Sequence, residues 1–152
     1  MDRYLFRGQI KNEDELWRTG GLYCEGGLDW ESSNWYIINS SLREYEVRYK
    51  TIGQCTGLKD KNGNLIFEGD IVEQTTNYYK LGKKEPVDTY VRRGRVRWDD
   101  ESTREAGHWE VATIDYFGNQ TKSLLYVGYK GWEVIGNIHD NPELLEVSKN
   151  GT

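Results

Sequence analysis

Thr56-Gly57-Leu58-Lys59-Asp60-Lys61-Asn62-Gly63-Asn64-Leu65-Ile66-Phe67-Glu68-Gly69-Asp70-Ile71-Val72 is the stretch whose reading decides the fold. Within it, Asn62-Gly63 is a strong short-range turn signal, because glycine accepts a positive φ without steric cost. Asp60, two residues earlier, is placed to bond its own backbone and hold the bend. The apolar run Leu65-Ile66-Phe67 follows, and a second bend at Glu68-Gly69-Asp70 launches Ile71-Val72 as a new strand. Two bends this close draw three extended pieces together, so the stretch reads as a compact β nucleus.

The rest of the composition agrees. The chain has 152 residues, enough for one domain that buries roughly 70% of its unfolded surface without a disulfide staple. Apolar residues make up 36%, a lean share, and six Trp, eleven Tyr and three Phe make up the shortfall with large rings. Seventeen Gly against two Pro, with so many aromatics, favour strands and turns over helices. The net charge of −5 argues against a globally basic nucleic-acid binder. Cys24 and Cys55 have no metal-type spacing; a disulfide between them is one reading, and free thiols are the preferred expectation. No basic-then-apolar leader and no run of about 20 apolar residues are present, so a soluble cytoplasmic protein is expected.

Outward from the nucleus on the N-terminal side, Tyr4 to Arg7, Leu22-Tyr23-Cys24 and Trp35 to Ile38 read as short strands. Asn12 to Arg18 is expected to make one helical turn, ended by Gly20-Gly21. Tyr45, Val47 and Tyr49 alternate with Glu46 and Arg48, the period of a half-buried strand. On the C-terminal side, residues 74–90 are a long connection or protruding hairpin and the least ordered internal segment. Strands are expected from Val91 to Trp98, Trp109 to Ile114, Leu124 to Tyr129 and Trp132 to Ile138, with a turn around Phe117-Gly118-Asn119-Gln120. Trp98, Trp109 and Trp132 are expected to be largely buried, in a shared core or at a subunit contact. Asn141-Pro142-Glu143 opens a short C-terminal helix through Leu145. The expected architecture is mainly β: a small, strongly bent antiparallel sheet or SH3-like barrel over about residues 69–138, with that short helix after it. Residues 1–55 form a strand-rich segment packing on a β core of residues 56–147, and residues 148–152 a frayed tail.

Three blocks carry a family resemblance: Phe6-Arg7; Thr56 through Gly63 with Glu68-Gly69-Asp70-Ile71-Val72; and Glu133-Val134-Ile135-Gly136-Asn137-Ile138 with Asn141-Pro142-Glu143-Leu144-Leu145. In order and spacing they resemble the YopX family of small bacteriophage and prophage proteins. The resemblance implies a phage-associated protein and brings no catalytic or binding residue with it. Its motif positions Gly57, Asp60, Asn62, Gly63, Gly69, Asp70, Gly136, Asn137 and Pro142 are read as structural: turns, caps and strand starts.

Chemistry is sparse. His108 and His139 are far apart with no helical His-x-x-x-His pattern, so no metal site and no cofactor are expected. Asp99, Asp100, Glu101 and Glu105 crowd one loop without calcium-loop spacing and read as a solvated hairpin tip. Cys55 has no neighbouring histidine and reads as a small buried thiol. Glu68 and Asp70 flank a bend, where Asp70 is expected to cap backbone N–H groups after Gly69 rather than do acid–base work. No nucleophile elbow or phosphate loop occurs, and no catalytic residue is named; the chain is read as non-enzymatic.

The strongest candidate surface is basic. Lys80, Lys83, Lys84, Arg92, Arg93, Arg95 and Arg97 face only Glu85 and Asp88, seven cations against two anions for a local charge of +5. Arg93, Arg95 and Arg97 share one face of a strand about 7 Å apart, and Tyr78, Tyr79 and Tyr90 offer stacking surfaces. The competing expectation is that these arginines pair with Asp99, Asp100, Glu101 and Glu110 across a hairpin. The preferred functional expectation is an accessory protein that binds a protein partner and self-associates as a homo-oligomer, with no membrane role. A nucleic-acid-binding module using residues 80–97 is the alternative.

Overall fold

The computed structural model describes residues 4–13, 15–99, 107–114, 120–124 and 131–146. The chain forms two compact units, Met1–Gly57 and Leu58–Thr152.

In the first unit, β1 (Phe6–Gln9), β2 (Trp17–Glu25), β3 (Asn34–Ile38), β4 (Glu44–Val47) and the start of β5 (Gly53–Lys59) lie in the order β4-β3-β2-β1-β5. All their pairings are antiparallel. Alternation along β3 and β4 points Trp35, Ile37 and Val47 into a core that Phe6, Leu22, Tyr49 and Ile52 cover. The expected strand at Tyr45–Tyr49 ends at Val47, and Tyr49–Thr51 is a single 3-10 turn. Thr51 holds that turn: its Oγ1 accepts from Gln9 N at 2.9 Å and donates to Arg48 O at 2.7 Å.

The helical expectation fails in this unit. Trp17 and Arg18 belong to β2, not to a helical turn, and Gly20-Gly21 lies inside the strand instead of ending a helix. The reason is close approach: a Cβ on Gly20 would lie 2.0 Å from Ile38 O of the neighbouring strand. A glycine that lets two backbones meet looks, in sequence, like a breaker.

In the second unit, β6 (Leu65–Phe67) follows the end of β5. A separate antiparallel sheet runs β10-β9-β8-β7-β11, built from β7 (Asp70–Tyr78), β8 (Asp88–Asp99), β9 (His108–Ile114), β10 (Gln120–Leu124) and β11 (Glu133–Asn137). Val72, Val96, Val111, Trp132 and Ile66 form its core, with Leu58, Trp109 and Val134 packed against them. Each such side chain removed from water is worth about 1.5–3 kcal/mol.

The protein is mainly β and antiparallel, as its sequence predicts. The barrel is not: among the described residues the second sheet stays open, ending at β10 on one side and at β11 on the other. β11 takes the free edge of β7 with a bulge between Val134 and Gly136. The expected C-terminal helix is a single 3-10 turn, Pro142–Leu145, because its four residues never reach an α-helical ladder and Asn141 makes no side-chain cap bond. Trp132 is buried and Trp109 partly so, but Trp98 is 45% exposed and meets Trp109 edge to face, ring centroids 5.2 Å apart. The expected turn at Phe117 to Asn119 and the expected strand over Leu125 to Tyr129 lie outside the described residues, as do Asp100, Glu101, Glu105 and the tail at 148–152.

Candidate functional site

Three places in the second unit gather chemistry-bearing residues. The first is the YopX-like turn itself. Gly63 has φ +89° and a Cβ there would meet nothing within 4 Å, so its role is conformational. Asp60 is nearly buried and serves four donors: its Oδ1 accepts from Asn62 N at 2.9 Å and Asn64 N at 2.8 Å, and its Oδ2 from Asn64 Nδ2 and Val134 N, both at 3.2 Å. Burial alone would raise its pKa, but the amides of Asn64, Val134 and Asn62 outweigh that and hold the carboxyl below the usual range. Asn62 and Lys61 reach Glu133 at 3.0 and 2.6 Å, which lowers the Glu133 pKa, the Lys61 contact first. Asp70 also caps: its Oδ2 accepts from Phe67 N at 2.7 Å, holding the bend from the preceding side. Asn137 Oδ1 accepts from His139 N and Asp140 N, and Asn141 fills the space beside Gly136 that a Cβ would need. Gly57 and Gly69 take positive φ, and Pro142 opens the final 3-10 turn. The motif thus folds into cages around backbone amides.

The second place is the arginine face. Alternation along β8 puts Arg93, Arg95, Arg97 and Asp99 on one side and Arg92, Gly94, Val96 and Trp98 on the other. Register then supplies partners. Arg93 stands opposite Glu73 and bonds it at 2.5 Å; Arg97 stands opposite Glu110 and bonds it at 2.6 Å. Arg92 leaves this face: it bonds Gln74 Oε1 and lies over the Trp132 ring at 5.7 Å. Arg95 is exposed. Of the expected acidic partners, Glu110 is found with Arg97; Glu73 was not expected, because it lies 20 residues away and becomes a neighbour only through register.

Beyond this face, β7 and β8 run on together from Gln74↔Arg92 to Tyr78↔Asp88, past the reach of β11, which pairs no farther than Glu73, and of β9, whose pairing ends at Gly94. Among the described residues the result is a two-stranded arm, so of the two expectations for residues 74–90 the hairpin holds. Tyr78, Tyr79, Leu81, Val87, Tyr90 and Val91 are all exposed on it, with Lys80, Lys83 and Lys84 at its tip.

The third place went unnoticed in the sequence. Asp99 is opposite His108, and Glu110 follows two residues later on the same face, so one donor atom from each lies within 4.8 Å of the others. Asp99 and Glu110 are buried and His108 is half-buried. A search for closely spaced histidines or cysteines misses a trio split across a hairpin; the His-x-Glu alternation on β9 is the signal that would have found it. Elsewhere, Cys55 is buried and Cys24 exposed, both free thiols. No helix among the described residues is long and apolar enough to cross a membrane.

A family model described as YopX protein matches residues 5–146. No curated protein matches the chain.

Proposed function

The chain belongs to the YopX family, and from that premise we propose that it is a non-enzymatic phage or prophage accessory protein that self-associates through the β7–β8 arm in the host cytoplasm. The observation that carries this reading is the arm itself: six large apolar side chains exposed on a ribbon that has no further strand beside it among the described residues. Tyrosines are favoured interface anchors, since they bury much area for little rotamer entropy. A second copy is the occupant that charge favours: the tip carries Lys80, Lys83 and Lys84, while the chain as a whole has a net charge of −5.

Light scattering on the purified chain, with Tyr78→Asp and Tyr90→Asp as comparison, tests it. Both tyrosines are exposed, so the variants fold. The parent is expected to be a dimer or larger and the double variant a monomer. A parent that stays monomeric at high concentration overturns the reading.

The same tip, with Tyr78, Tyr79 and Tyr90 beside its lysines, also favours a second reading, single-stranded nucleic acid held by stacking and charge. The ion pairs of Arg93 and Arg97 weigh against the arginine face as the main contact. Anisotropy of a labelled oligonucleotide separates the two readings, because phosphate contacts give binding that falls steeply with salt.

A further inference from the structure

We propose that Asp99, His108 and Glu110 bind a first-row divalent cation, for which Zn²⁺ is the best match. The donor set is one imidazole nitrogen and two carboxylates, all ligand types that zinc accepts, and three protein ligands leave one position for water. The trio is built into regular structure and not onto a loop: Asp99 closes β8, His108 opens β9, and ladder register sets them opposite each other. Two donors on a tetrahedral zinc, each about 2.1 Å from the ion, are about 3.4 Å apart. Atoms already within 4.8 Å of one another need to close by about 1.4 Å at most.

Charge favours a cation here. Two carboxylates, 7% and 1% exposed as residues, converge on one spot; Arg97 already brings one positive charge to Glu110, and a divalent ion would offset the like-charge repulsion of the pair further. Arg97 meets Glu110 at Oε1; a carboxylate accepts at both oxygens, so that contact and a metal bond are compatible. Arg97 then acts as a positioning residue that fixes the Glu110 rotamer, as carboxylates that bind metals are commonly held. Ca²⁺ is a poor match, since it seeks six to eight oxygens.

The test uses the full chain and the metal alone. Calorimetric titration with Zn²⁺ is expected to show one saturable equivalent. His108→Ala should weaken it by more than the 10–100-fold that loss of a supporting residue costs, Asp99→Asn should weaken it similarly, and His139→Ala should leave it unchanged. A second measurement needs no variant. Co²⁺ added to the parent chain should give a visible d–d absorption, broaden the His108 ring resonances and spare those of His139, and Zn²⁺ should reverse both effects. Absence of a saturable equivalent, parent-like affinity in His108→Ala, or broadening at His139 instead of His108 overturns the proposal. In that event the trio is an ion-paired cluster and no more.

Discussion

Replacing Asp60 tests whether the YopX-like turn is a structural device. The carboxylate serves four donors, two on each oxygen. Asp60→Asn keeps one acceptor oxygen for Asn62 N and Asn64 N, but turns an amide NH₂ toward Val134 N and Asn64 Nδ2, donor against donor. Hydrogen bonds to a charged group contribute about 1.5–3 kcal/mol each, and the two at 3.2 Å lie at the weak end, so Asp60→Asn should cost roughly 3 kcal/mol and Asp60→Ala roughly 6 kcal/mol. The pH dependence gives an independent check. The folded-state pKa of Asp60 is depressed, so its contribution is fully present above the unfolded value of about 3.9 and is lost as pH falls through the lower folded value. Urea unfolding of parent and Asp60→Asn should therefore show a gap at pH 7 that narrows below about pH 4, because the parent alone loses this contribution. A gap that is absent at pH 7, or one that is unchanged well below pH 4, would refute the account.

Other substitutions probe other features. Gly63→Val places a β-branched residue at φ +89° and should lower stability by about 1–3 kcal/mol, with Gly63→Asn costing less, as read from denaturant midpoints. Trp132→Ala, at a site 1% exposed, should cost about 3–5 kcal/mol, whereas Trp98→Ala should cost about 1 kcal/mol, mostly its edge-to-face contact with Trp109. Arg97→Ala removes the ion-pair partner of the buried Glu110 carboxylate and should destabilise by about 2–4 kcal/mol in thermal unfolding; Arg93→Ala, whose partner Glu73 is more exposed, should change stability by under about 1 kcal/mol.

What the sequence revealed was local. The turn at Asn62-Gly63, the cap at Asp60 and the strand periods of β4 and β8 depend on residues within a few positions, so composition and spacing expose them. Register is not local. The Arg93–Glu73 pair and the Asp99–His108–Glu110 trio exist because particular residues stand opposite one another in a ladder, and a one-residue slip would send each side chain to the other face. Gly20 misled for a related reason: its lack of a side chain serves a neighbouring strand, which the sequence around it does not contain. The barrel was an analogy from a Gly-Asp-Ile-Val opening followed by hairpins, and nothing in that pattern says whether the last strand closes on the first.

The arm between Tyr78 and Asp88 has an evolutionary consequence. Its residues pack in neither hydrophobic core, and the entropy of closing a loop grows slowly, by about 0.6 kcal/mol per doubling of length. Insertions, deletions and wholesale replacement of the tip should therefore be nearly free of stability cost. Such a segment lets related chains change what they recognise while the two folded units stay as they are.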